Sequence, residues 1–294
     1  MIGPAPFRCD RRRRVPLPHR IAAVALPTTV DETLAWEAEQ RPRAAIVAIL
    51  AGVLLIAGAL VTGVALSDSP QTTLLDGLRD AAGAPPADGG LRTEIALFLH
   101  DHSLVLTLGQ LMWALGGLLA AVTIVFLFLS TRARKPGMGQ AALIALAIGG
   151  VGYFAGTMTR QIARDISLSG FAGSSDHGTL AAHDAMASPA YVVGSLILYI
   201  AMVALAIGFV MVALNAMRVG LLTRFMGVLG ILSGLLFVLQ VTALPIVQAF
   251  WLVALGVLIS GRSPRAAPPA WASGKAEPWP SRQELLEARA EGGG

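Results

Sequence analysis

The feature that most constrains this chain is a set of apolar runs, each about as long as a membrane is thick. Residues 44–66 contain no Asp, Glu, Lys, Arg or His. About 20 such residues in an α-helix cross a hydrocarbon core of roughly 30 Å. Further runs lie at 104–129, 141–158, 191–214, about 225–241 and about 245–260. The third is short and glycine-rich, and the sixth is short for a crossing. Pro245 separates the last two, which also read as one hairpin that only partly crosses. Charged residues make up 14% of the chain, against about a quarter in globular proteins, too few to dress a soluble surface. The expectation is an all-α fold, a polytopic membrane bundle of six transmembrane helices over residues 31–261.

Arginine and lysine set the orientation. Eight precede the first run, three follow the second (Arg132, Arg134, Lys135), two follow the fourth (Arg218, Arg224) and five follow the sixth. Only Arg79, Arg92, Arg160 and Arg164 fall on the opposite side. Positive residues resist translocation and stay cytoplasmic. Both termini are therefore expected in the cytoplasm, which an even number of crossings requires. Twenty arginines against two lysines, with abundant Ala and Gly, point to a GC-rich bacterial genome and so to a bacterial plasma membrane.

The segments outside the runs carry less information. Residues 1–30 are rich in Arg and Pro, with the run Arg11–Arg14, and read as a disordered extension. They lack a signal peptide's apolar region. Val30 before Asp31 is an alternative beginning, which would make the extension a misplaced start. Residues 31–40 read as a short helix on the membrane surface with Trp36 at headgroup depth. Residues 68–103 and 159–189 read as two long extracytoplasmic loops. The first holds a Gly/Pro linker at 83–90 and an amphipathic run at 91–99. Residues 262–294 read as a disordered cytoplasmic tail whose Ser281 opens a short helix by a capping-box spacing. Its Trp271 and Trp279 are candidates for docking a cytoplasmic protein partner. The sole cysteine, Cys9, excludes an intramolecular disulfide. Beyond the lipid bilayer no nucleic acid partner is expected.

No ionisable residue falls inside the six runs. Such residues mark ion paths and proton relays, so their absence argues against an ion-coupled transporter or a haem held by intramembrane histidines. Thr107, Gln110, Thr123, Ser195, Ser233, Gln240 and Gln248 remain, and they read as interhelical hydrogen-bonding groups. The steps Gly152/Gly156 and Gly230/Gly234 read as close helix packing within the chain. No nucleophile elbow or phosphate loop is present.

Histidine offers the one constellation with chemical potential. His100, His102, His177 and His183 fall in the two long loops beside Asp101, Asp176 and Asp184. Imidazole and carboxylate together bind zinc and similar divalent ions. The spacing matches no zinc signature, and H-x-H on a helix splays its side chains about 200° apart. The alternative is that these are interfacial polar residues and caps, with Asp101 or Ser103 capping the second crossing. No cofactor is predicted beyond that possible divalent metal.

Residues 215–230 (NAMRVGLLTRFMGVLG) and 271–281 (WASGKAEPWPS) resemble a family of uncharacterised multi-pass membrane proteins from actinobacteria. The resemblance runs from about Asp31 to Ser281 and implies a six-span bundle without an assigned activity. The expected function is that of a non-catalytic scaffold, accessory or sensory subunit. The alternatives are a metal-binding protein or metal-dependent enzyme at the outer face, and a neutral-solute channel lined by Gln110, Gln240 and Gln248.

Overall fold

The computed structural model describes residues 29–70, 90–239, 244–262 and 268–279. Cys9, the Arg11–Arg14 run, most of the 83–90 linker, Gln240 and the Ser281 helix lie outside the described residues. The described part is helical: α1 (Val30–Ala65), α2 (Gly90–Asp101), α3 (Ser103–Arg134), α4 (Ala141–Ala172), α5 (Thr179–Met186), α6 (Pro189–Arg218), α7 (Arg224–Leu239), α8 (Ile246–Ile259) and the single turn α9 (Ala270–Ser273). Helices α1, α3, α4 and α6 are long and apolar enough to cross a membrane, while α7 and α8 are shorter apolar helices.

Two helices outrun the expected crossings. α1 starts at a capping box in which Thr29 and Glu32 bond each other's backbone amides, and it continues through Pro42. Residues 31–40 are therefore the first turns of a helix that enters the bundle, not a separate surface helix. Trp36 stacks on Phe126 of α3 and Glu37 is 1% exposed. That packing offsets the backbone bond that a mid-helix proline forfeits. α4 likewise runs past Met158 to Ala172, because its polar residues there bond one another across to α3. The 159–189 loop thus shrinks to a turn at 173–178 and the helix α5. α3 begins after His102, which makes no side-chain cap bond, so neither Asp101 nor Ser103 caps it.

The six longer helices pack in a ring, α1 on α3, α3 on α4, α4 on α6, α6 on α7, α7 on α8 and α8 back on α1. Lipid tails are as apolar as leucine, so these contacts depend on close approach rather than on expulsion of water. Both glycine steps serve that purpose inside the chain. A Cβ on Gly156 would fall 2.6 Å from the Leu198 amide of α6, and one on Gly230 would fall 2.7 Å from the Trp251 ring of α8.

Close contacts also fix how deep α7 and α8 reach. Gly52 of α1 meets the Ala249 carbonyl, and Gly256 meets that of Ala45. This antiparallel register sets Ile246, where α8 begins, against Leu55, the middle of the apolar stretch 44–66. On the other flank Gly230 meets Ala213 and Gly234 meets Phe209, which sets Leu239 near Leu205, half-way along α6. The end of α7 and the start of α8 therefore both lie at mid-height of the ring. Toward the end where α1 finishes and α3 starts, the ring therefore lacks a helix between α1 and α6 among the described residues.

At that end α2, α5 and the last turns of α4 build a small second core from Ala96, Leu168, Phe171 and Ala182. Thr93 donates to the His177 carbonyl at 2.8 Å and ties α2 to the turn before α5. This end is the cap end; the opposite one, where α1 starts and α3 finishes, is the latch end.

Candidate functional site

Two polar clusters lie at opposite ends of the ring. At the latch end, Glu37 of α1 meets Arg134 of α3 in a bidentate ion pair with both side chains almost fully buried. Such a pair is held in place only when its remaining donors find partners. Arg134 supplies them to the carbonyls of Ser130 and Ala270. The second carbonyl belongs to the segment after the last apolar run.

That segment closes the latch end. Trp271 is 3% exposed and stacks on Phe126. The guanidinium groups of Arg41 and Arg134 lie 4.8 and 5.5 Å from its ring centroid. A cation over an indole face is attracted by the ring quadrupole. The Trp271 indole donates to the Leu221 carbonyl at 2.9 Å, the Trp279 indole to that of Leu222 at 3.0 Å, and the Glu277 amide to that of Val219 at 3.1 Å. Arg41 donates to the Ile259 carbonyl, the end of α8. Two glycines in the left-handed region make the fit possible. Gly220, at φ 79°, leaves no room for a Cβ beside the Glu277 carbonyl, and Gly274, at φ 68°, packs on Val30 and Leu34. Only glycine takes this conformation at no steric cost. Residues 268–279 are therefore not part of a disordered tail. Their indole donors and the Ala270 carbonyl complete bonds that the bundle leaves open, and Trp271 and Trp279 dock on their own chain.

The cap end carries the second cluster. Thr107 of α3 donates to Asp165 of α4 at 2.6 Å, and Gln161 donates to both Thr107 and Asp165 at 3.0 Å. Arg164 donates to the Gln161 oxygen. Two turns deeper the Trp113 indole donates to the Tyr153 hydroxyl, and Tyr153 meets Phe237 of α7 edge-on. Sequence reasoning placed Arg160, Gln161, Arg164 and Asp165 in a loop. Their three- and four-residue steps from Tyr153 were the available signal that the helix continues. The Arg164 Nε, the Ser188 hydroxyl and His100 Nδ1 are buried without a hydrogen-bond partner.

The four loop histidines are placed separately. His100 lies near the end of α2. His102 stacks on Phe98, with Nδ1 2.9 Å from the Phe98 carbonyl. His177 meets the Phe171 ring edge-on. His183 is exposed on α5. Among the described residues no three His, Cys, Asp or Glu side chains gather as a metal ion would need.

Of the polar residues within the runs, Thr107 bonds between helices as expected. Thr123, Ser195 and Ser233 differ, each donating to the carbonyl four residues back on its own helix. Such back-bonding satisfies a hydroxyl in lipid without any partner helix. An apolar groove of about 440 Å³ lies between α6 and α7, lined by residues such as Val203, Ala206, Val210 and Leu235.

Comparison with protein families, curated proteins and solved structures finds no match. None of these comparisons supports the expected likeness to actinobacterial multi-pass proteins.

Proposed function

We propose that this chain is a non-catalytic integral membrane protein, an accessory or sensory subunit of a bacterial plasma membrane, with both termini in the cytoplasm. It crosses the bilayer fully with α1, α3, α4 and α6. Helices α7 and α8 enter from the cytoplasmic side and return at mid-depth. The positive residues support this orientation, since the latch end carries Arg132, Lys135, Arg218 and Arg224, and the hairpin keeps the count of crossings even.

The observation that carries the reading is the span of α3. One unbroken helix holds Thr107 in the outer polar network and Arg134 in the inner ion pair, about 40 Å apart at 1.5 Å per residue. A single helix in contact with both networks can carry coupling between the two faces if it has two arrangements that both networks bias. Its inner end is held by residues 268–279, the segment best placed to exchange the bundle for a partner protein.

Affinity purification from native membranes tests this, comparing the full chain with one truncated after Arg262. The reading expects a stoichiometric membrane or cytoplasmic protein whose recovery changes several-fold on truncation. A chain that purifies alone in both forms, and that passes a neutral solute in proteoliposomes, would instead be a transporter.

A further inference from the structure

The outer half of the ring holds a pair of arginines that the accessory or sensory reading does not use. Tyr153, Thr157, Arg160 and Arg164 recur at four- and three-residue steps and so share one face of α4. The flanking residues show where that face looks. Gly149 and Gly156 pack on α6, while Gln161 and Asp165 bond toward α3. The face between them points into the ring, as the Tyr153–Phe237 contact confirms at its deep end. Gly194 packs against the Arg160 backbone, which puts Arg160 and Arg164 beside the first turns of α6. They stand above the level where α7 ends and α8 begins, in the part of the ring that among the described residues has no helix between α1 and α6.

Neither arginine forms an ion pair among the described residues. Among the described residues Arg160 has no ion-pair or hydrogen-bond partner, and the one described salt bridge is Glu37–Arg134. Arg164 keeps one hydrogen bond, to Gln161, and a buried Nε without a partner. Asp165 lies within electrostatic reach of Arg164, as do Arg160 and Tyr191, so one carboxylate, held by Thr107 and Gln161, stands against two guanidinium groups. Both arginines are part-exposed. Arg160, Arg164 and Asp165 together keep a net positive charge, about 15–20 Å along the helix axis from the level where α7 ends. Arginine's planar fork matches phosphate oxygens two at a time.

An apolar path leads away from this pair. Ser195, Tyr199, Val203 and Ala206 of α6 follow one another at three- and four-residue steps, so the wall of the opening continues into the groove between α6 and α7. That groove is apolar along its length, and Val203, Leu235 and Leu239 are exposed in it. From Arg164, level with Ala190, to Val203 is about 20 Å along the helix axis, an acyl chain's reach.

We propose that the opening between α1 and α6 binds an acyl-chain amphiphile bearing a phosphate, with the phosphate between Arg160 and Arg164 and the chain along the α6–α7 groove. The site does not rest on the accessory or sensory reading, and either can stand if the other falls.

Native mass spectrometry of the full chain in mild detergent tests it, with dioleoyl phosphatidate, dioleoylglycerol and inorganic phosphate as probes. The expected result is one phosphatidate per chain, held at least tenfold more tightly than dioleoylglycerol. Arg160→Gln should weaken it about tenfold at an unchanged melting temperature, because that side chain has no described partner to lose. Arg164→Gln should weaken it as much or more, and Arg160→Lys less than Arg160→Gln. Competition by inorganic phosphate in the same concentration range would keep the anion site but assign it to a soluble phosphate ester. Phosphatidate binding equal in wild type and Arg160→Gln, or no preference over dioleoylglycerol, would overturn the proposal.

Discussion

The two ends of this bundle treat charge in opposite ways. At the latch end Glu37 and Arg134 are buried together, and the remaining Arg134 donors end on carbonyls. At the cap end Arg160 stands unpaired among the described residues and Arg164 keeps an unpartnered nitrogen. The latch end closes itself with a later piece of the same chain, at the cost of two glycines in the left-handed region. The cap end covers its network with two short helices and, among the described residues, has no helix between α1 and α6. A charge whose partners are all internal holds structure. A charge left half-paired among the described residues remains available to something outside the chain.

Several measurements would break or sharpen this contrast. The largest effect is expected from Arg134→Ala, which strands the Glu37 carboxylate. Removing one partner of a buried pair costs about 3–5 kcal/mol, and thermal unfolding in mild detergent should show it. Gly220→Ala comes next, since a left-handed residue with a Cβ costs about 1–2 kcal/mol even without a clash. It should free residues 268–279, seen as faster proteolysis at Lys275 with the bundle still folded. If cleavage stays as slow as in wild type, the latch is not held at Gly220. Asp165→Asn should cost less, about 1 kcal/mol, because interhelical bonds in membranes are individually modest. Trp113→Phe removes a single such bond, and about 0.6 kcal/mol is expected. Changing His100, His102, His177 and His183 to alanine should leave sensitivity to a chelator as it was, because the four imidazoles do not converge. A melting shift on chelation that vanishes in that variant would restore the metal reading.

The four helices long and apolar enough to cross a membrane were legible among the six expected because length and lack of charge are local properties. So was the close packing of Gly152, Gly156, Gly230 and Gly234, which needs only their spacing. The incomplete depth of α7 and α8 was half visible in their length and in Pro245, but it needed the register against α1 and α6. Glu37 and Arg134 are 97 residues apart, and nothing local marks either as buried. Residues 160–165 looked like a loop because four polar side chains in six residues suit solvent. Only the partner Thr107, on another helix, makes them suit a bundle. The tail misled for the same reason, since Pro, Gly and Ala around Trp271 resemble a linker until Leu221 and Leu222 offer their carbonyls.

The most direct test of the central claim, that the chain's own tail completes and shields the inner ion pair, is a double-mutant cycle on Glu37→Gln and Arg134→Gln. It is run once in the full chain and once in the chain ending at Arg262, with unfolding free energy as the readout. Coupling between contacting charged residues falls in the range of about 0.5–3 kcal/mol. The account predicts coupling toward the top of that range in the full chain, and a clear fall on truncation as water and lost Ala270 and Trp271 contacts weaken the pair. Equal coupling with and without the tail, or none in either, would contradict it.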